Sequence, residues 1–168
     1  MMYIIDGNNF AGAWGVLEQN NSSLQVVEVL SEYFQNRRQK VILVFDSSDY
    51  LGDKYIKNGL LVIHSPRDDY YTCADDKILE LAEHYCQQKL IVVSDDIEIR
   101  KKVEELRDKG CINLDNQRAT ELVSDIKYFQ AKKEKQKIDN NRGLSDDKVD
   151  EINKELLEKF RRKREEKN

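Results

Sequence analysis

Six aspartates stand where the chain changes character. Asp6 closes the apolar run Tyr3-Ile4-Ile5, and Asp46 closes Ile42-Leu43-Val44-Phe45. Asp95 and Asp96 follow Leu90-Ile91-Val92-Val93-Ser94, and Asp75-Asp76 opens a stretch with helical spacing. A single Asp in such a place is usually a turn former or a helix cap. Asp75, Asp76 and Asp96 also suit a helix's first turn, where the dipole favours negative charge. Repetition changes that reading. Carboxylates gathered at one edge repel one another and raise each other's pKa unless a cation sits among them. The sequence supplies no obvious cationic partner behind these strand ends. Oxygen-only ligation suits Mg2+ or Mn2+ rather than zinc. Such an ion takes phosphate oxygens, polarises the phosphate and lowers the pKa of a water nucleophile. The expected chemistry is hydrolysis of a phosphodiester by metal-activated water, with Asp6, Asp46, Asp75, Asp95 and Asp96 as candidate metal ligands.

Other chemistries have less support. Of the two histidines, His84 falls on a helix face and His64 ends a strand, so no acid–base pair can be assembled from them. Cys73, Cys86 and Cys111 form no CxxC pair and have no nearby His, which argues against a zinc site or a disulfide framework. Cys73 precedes an acidic pair whose charge would raise a thiol's pKa, the wrong direction for a nucleophile. Neither GxxxxGK[ST] nor GxGxxG occurs, so no organic or nucleotide cofactor is expected. An Asp-x-Asp phosphatase motif is missing its second acid in Asp6-Gly7-Asn8, and a receiver domain would want an acidic pair at that place.

The elements that must position these residues follow from periodicity. Tyr3–Ile5, Val41–Phe45, Leu60–Ile63 and Leu90–Val93 are short, continuous and β-branched, as strands buried on both faces are. Ile112–Leu114 is a weaker fifth. Helical stripes fall at Leu24, Val27, Leu30 and Phe34, with Ser22 or Ser23 as cap; at Ile78, Ala82 and Tyr85; at Ile99, Val103 and Leu106, stopped by Gly110; and at Ala119, Leu122, Val123, Ile126 and Phe129. The alternation predicts an α/β fold of three layers around a mostly parallel sheet of about five strands, with function at the strands' carboxyl ends. The segment Ser47–Gly59 reads as a flexible loop facing substrate.

The quoted residues resemble a known family. Asp6-Gly7-Asn8-Asn9 after a first strand, Val44-Phe45-Asp46 after a second, Ala74-Asp75-Asp76 opening a helix and Val93-Ser94-Asp95 after a later strand are similar to the NYN domain. More narrowly, with Ala11-Gly12-Ala13-Trp14 and the charged C-terminal helices, they resemble its YacP-like branch within the PIN-like nuclease superfamily. The resemblance implies a PIN-like fold and a divalent-metal-dependent endoribonuclease. By position, Asp6, Asp75 and Asp95 become the central carboxylates, Asn9 orients the site or a water, Asp76 and Asp46 support it, and Asp96 is the less secure member. Asn8 departs from relatives that are often aromatic there. The implied substrate is single-stranded RNA, specifically mRNA, and the implied partner is the ribosome. A non-catalytic RNA- or ribosome-binding module with the same fold is the alternative, disfavoured because concentrated negative charge does not help a binder of RNA.

An acidic body must grip RNA with something else. Residues 1–125 carry 14 Lys and Arg against 22 Asp and Glu, whereas 126–168 carry 14 against 10, so a basic helical extension follows an acidic domain. Phe10 and Trp14, and Arg67, Tyr70 and Tyr71, flank the motifs and could stack on or pair with unpaired nucleotides. Equally, Phe10 and Trp14 could simply plug the sheet edge. Lys132 and Lys133, and Arg161, Arg162 and Arg164, are either solvated helix faces or salt-sensitive phosphate contacts. Val149, Ile152, Leu156 and Phe160 line a last helix, capped by Ser145, that is expected to dock on the body. No run approaches the roughly 20 apolar residues of a membrane span, and no signal peptide precedes Tyr3, so the expected compartment is the cytoplasm.

Overall fold

The computed structural model describes residues 1–35, 37–47, 51–66 and 73–142, with side chains as far as Lys137. Its elements run β1 (Met2–Asp6), α1 (Gly7–Trp14), α2 (Ser22–Phe34), β2 (Lys40–Asp46), β3 (Asp53–Lys57), β4 (Leu60–Ser65), α3 (Ala74–His84), β5 (Leu90–Val93), α4 (Ile97–Asp108), β6 (Leu114–Gln117) and α5 (Ala119–Arg142). Two compact units are distinguished, Met1–Lys127 and Tyr128–Asn168. In the second, the described part is helical, and residues 131–137 are exposed.

The sheet has the order β3-β4-β2-β1-β5-β6, parallel throughout except for β3 on β4. Buried on both faces, β1, β2 and β5 need continuous apolar sequence, which makes their runs conspicuous. Alternate residues serve opposite layers. Ile4, Ile42, Val44, Ile63 and Val92 join Ile78 and Ala82 of α3 and Ile99 and Val103 of α4 in one core. On the opposite face Tyr3 meets Phe34 of α2, with ring centres 5.0 Å apart.

Several elements differ from the sequence reading. The Ser47–Gly59 segment is not all loop, because its second half forms the sixth strand, β3, which turns back onto β4 through Asn58 and Gly59, both at positive φ. As an antiparallel edge it buries little, so Asp53, Lys54 and Lys57 are compatible with it. The strand placed at Ile112–Leu114 instead starts at Leu114, and Ile112 is 80% exposed. Residues 7–14 form α1, a helix absent from the periodicity reading. Its helix propensity is low, but Asp6 caps it by accepting a hydrogen bond from the Asn9 amide at 3.0 Å. The cap of α2 is Asn21, without a side-chain bond, rather than Ser22 or Ser23.

Candidate metal centre

The chain leaves β1 toward β2 on one side, and β5 returns on the other. The order therefore reverses at β1, and the carboxyl ends of β1, β2 and β5 border the crevice where open α/β sheets bind ligands. Asp6 sits there, 2% exposed. Its Oδ1 accepts from the Asn9 backbone at 3.0 Å, and its Oδ2 accepts from the Asn9 side chain at 2.5 Å and from Ser94 Oγ at 2.9 Å. Burial lifts the Asp6 pKa above the ordinary carboxylate range, and these three donors partly offset it. Oδ2 is filled, which leaves Asp6 one free lone pair, on Oδ1.

Asp46, two residues further along β2 than Asp6's partner Val44, bridges two helices. Its Oδ1 accepts from the Ala74 amide at 2.7 Å, at the start of α3, and its Oδ2 accepts from the Asn8 side chain of α1. Asp96 caps α4 through Oδ1, which takes the Glu98 and Ile99 amides at 2.6 and 3.3 Å and leaves Oδ2 unused by these bonds. Ser94, 1% exposed, connects the two halves by donating to Asp6 and accepting from the Asp96 amide at 3.1 Å.

Asp75 completes the group from the first turn of α3. Its carboxyl is pushed up to about 6, first by burial and then by the negative charges of Asp6, Asp96, Asp46 and Asp76. That set of neighbours defines the cluster. The ion pairs Lys77–Glu80 and Arg107–Asp115 among the described residues involve none of Asp6, Asp46, Asp75 and Asp96.

Asp95 goes elsewhere. Its two oxygens take the Thr120 amide and hydroxyl, each at 3.2 Å, at the start of α5. Of the predicted carboxylates, the structure thus brings together Asp6, Asp46, Asp75, Asp76 and Asp96, and turns Asp95 toward α5. Asn9 sits against Asp6, its side chain donating to Oδ2.

Among the described residues no three carboxylates, histidines or cysteines converge as a finished ligand set. The donor set nevertheless fits a hard divalent cation. Asp75, Asp6 through Oδ1, Asp96 through Oδ2 and Asp46, which keeps one lone pair on each oxygen, have lone pairs to offer, and all are oxygens. Among the described residues no ion pair offsets the charge of these four, and Mg2+ needs only one or two carboxylates because it keeps most of its waters.

The residues expected to hold RNA are dispersed. Phe10 is fully buried, so it offers no face to a base; the helix that places Asp6's cap also turns Phe10 into the core. Trp14 is partly exposed, stacks on Phe10 with ring centres 6.0 Å apart and carries Lys127 Nζ 5.4 Å from its ring. Lys132 and Lys133 are exposed on α5. Arg67, Tyr70, Tyr71, Arg161, Arg162 and Arg164, and the predicted last helix, lie outside the described residues. Sequence reading assigns no role to Ser94, Asn8 or Thr120. The one available signal is Ser94's place between a strand and an acidic pair.

A cluster of carboxylates at the switch point of an open, mostly parallel sheet is the layout of a nuclease-like domain. The chain belongs to the family of the YacP-like NYN domain, whose sequence model matches residues 3–165. Its fold is similar to the crystal structure of Rae1 (YacP) from Bacillus subtilis, with a TM-score of 0.61 and 22% identity over 96% of this chain and 95% of that one. A mutant of the same Bacillus subtilis protein gives a TM-score of 0.60 and 20% identity over 80% and 79% of the two chains. No curated protein sequence matches significantly. No described helix is long and apolar enough to cross a membrane.

Proposed function

We propose that this protein is a divalent-metal-dependent endoribonuclease that hydrolyses phosphodiester bonds of single-stranded mRNA, with the ribosome as the setting in which it meets that substrate. The observation that carries this reading is Asp75, a carboxylate held among four others at the switch point with no hydrogen bond or ion pair of its own among the described residues. Such an arrangement costs stability unless a cation offsets it. A divalent cation held by Asp75, Asp6 and Asp96, with Asp46 behind them, would supply charge against the phosphate oxygens and lower the pKa of water.

The chain's own residues do the positioning. Asn9 and Ser94 lock the Asp6 side chain, so its free lone pair has one direction. Asp46 ties α1 to α3 and fixes where Asp75 emerges. Asp76, beside it, adds a second carboxylate to accept a proton from water. The domain 1–125 is then the catalytic part, and 126–168 the part that attracts RNA. Trp14 with Lys127 is the described aromatic–cation pair nearest in sequence to the first motif.

Purified full-length protein, incubated with labelled single-stranded RNA, is expected to cut internally with Mn2+ or Mg2+ and to stop with chelator. Asp75→Asn and Asp6→Asn should each abolish cutting. Undiminished cutting by both variants would sink the site assignment. Neutralising Lys132 and Lys133 to Gln should leave cleavage of a short RNA unchanged while weakening RNA association. The slope of log K against log salt should become shallower by roughly 0.7 for each phosphate that is no longer neutralised. An unchanged slope would mean that these lysines do not contact RNA phosphates.

A further inference from the structure

A row of rings crosses the sheet beside the aspartates. Phe45 of β2, His64 of β4 and Tyr55 of β3 stand on one face, Phe45 opposite His64 and Tyr55 a diagonal step further on. The centres of Phe45 and His64 are 5.4 Å apart, with planes 19° from parallel. Those of His64 and Tyr55 are 6.1 Å apart at 23°. The row begins next to the site, because Asp46 follows Phe45 and Gly7 lies against the Phe45 ring. It ends in the open. Phe45 is buried, His64 and Tyr55 are partly exposed, and β3 is the last strand of the sheet. Among the described residues no further ring stacks on Tyr55. Charge is graded along the same face, since residues two apart on a strand share a side. Asp53 pairs with His64 toward the active edge, and Lys57 pairs with Leu60 toward the opposite one. A phosphate is repelled at the first end and attracted at the second.

We propose that Tyr55, backed by His64, is a stacking platform for one base of single-stranded RNA, with Lys57 facing the phosphate beside that base. The proposal rests on the reading of this chain as an enzyme acting on RNA, and it extends the substrate path from the carboxylates to the sheet edge. The ring spacings are those of offset stacking. A base is flat with two π-faces, so it can continue a row of near-parallel rings against the outer face of Tyr55. His64 stands behind Tyr55 and Phe45 behind His64, so the platform ring is already oriented and little side-chain freedom is lost when a base arrives. Because every base offers such a face, the grip is tolerant of sequence. Asp53 disfavours a phosphate beside His64, so the backbone is expected to pass on the Lys57 side.

The test is binding of a short fluorescein-labelled oligoadenylate to the full chain, measured by fluorescence anisotropy at low salt in chelator. A strand of the same length and charge whose riboses carry no bases is the comparison. Tyr55→Ala should weaken oligoadenylate binding by about 5- to 100-fold, the worth of one stacked base, and leave binding of the base-free strand as in wild type. Tyr55→Phe keeps the ring and should bind both strands as wild type does. Tyr55→Leu keeps apolar bulk on the strand and should lose affinity as Tyr55→Ala does, which separates stacking from loss of packing. Lys57→Gln should weaken both strands alike and make the salt dependence shallower. The proposal is overturned if wild type binds the two strands equally, if Tyr55→Ala loses as much on the base-free strand, or if Tyr55→Leu binds like Tyr55→Phe. Chelator keeps hydrolysis out of this measurement, and cutting of the same RNA by wild type with Mn2+ tests the enzymatic reading by itself.

Discussion

Asp75→Asn is expected to do two opposite things: abolish RNA cleavage and make the metal-free protein harder to melt at neutral pH. The first follows from the loss of a free charged oxygen at the centre of the cluster, and a drop of at least about 100-fold is the expected scale for removing such a group. The second follows from linkage. The folded-state pKa of Asp75 is raised from 3.8 to about 6, so between these values the native protein binds more protons than the unfolded chain. Stability therefore falls as pH rises through that window, and the full penalty is present at pH 7. Asn carries no charge and removes the penalty. Because the side chain is partly exposed and solvent screens it, the gain is discounted to about 1 kcal/mol. In a domain of this size that corresponds to roughly 3–5 °C in thermal midpoint. Melts in chelator at pH 7.5 and pH 4 should show the variant above wild type at the higher pH and level with it at the lower. Added Mg2+ should raise the wild-type midpoint at pH 7.5 and leave the variant almost unmoved. A variant that melts below wild type at both pH values would show that Asp75 supports the fold and is not held against repulsion. Asp6→Asn is the poorer probe of this effect, because its amide would face Ser94 Oγ or the Asn9 donors and lose hydrogen bonds as well as charge.

The sheet's centre was legible because burial on both faces forces β1, β2, β4 and β5 to be written in apolar, β-branched residues. Its edges were not. β3 reads Asp-Lys-Tyr-Ile-Lys, and an edge with one neighbour tolerates that composition. The Asn58-Gly59 pair before Leu60 was a hairpin signal, since both residues of such a turn take positive φ. β6 buries only Leu114, so the exposed Ile112 drew the strand two residues early. At the site, residue types and strand ends were legible, but side-chain direction was not. Asp95 and Asp96 are adjacent acids after one strand, and nothing in their order tells which one α5 captures. Thr120, 25 residues further on, takes Asp95, while α4 leaves Asp96 within electrostatic reach of Asp75. Phe10 was ambiguous for the same reason. An aromatic beside a motif faces the site or the core according to whether its segment is a loop or a helix, and Asn8-Asn9 gave α1 little propensity to announce itself.

Gly7 shows how a residue can be conspicuous for the wrong reason. In Asp6-Gly7-Asn8 it looks like a turn glycine, yet it is the first residue of α1, and its backbone is not in the left-handed region. What it provides is space. A Cβ at Gly7 would lie 2.8 Å from Phe45 Cζ and closer still to Cδ1 and Cε1, far inside contact distance. The Phe45 ring has little room to yield, being 4% exposed and stacked on His64 with centres 5.4 Å apart. Gly7→Ala is therefore expected to cost about 2 kcal/mol, the scale of overpacking a filled core, despite Ala being the better helix former. The larger effect is on chemistry. Gly7 and Phe45 each adjoin a site carboxylate, Asp6 and Asp46, so relief of the clash must shift the end of β1 relative to the end of β2. Displacements approaching 1 Å at a reacting centre lower rates by about 100-fold, and cleavage should fall by that order while the variant remains folded below its lowered midpoint. Phe45→Leu alone should keep most of the stability and activity. The double variant Gly7→Ala/Phe45→Leu should recover much of what Gly7→Ala loses, because the branched side chain vacates the ring's position. Strict additivity of the two changes in a chemical-denaturation cycle would rule out contact between these residues as the cause. Recovery of stability without recovery of cleavage would show instead that the ring itself, and not the gap between the strand ends, is what aligns Asp6 with Asp46.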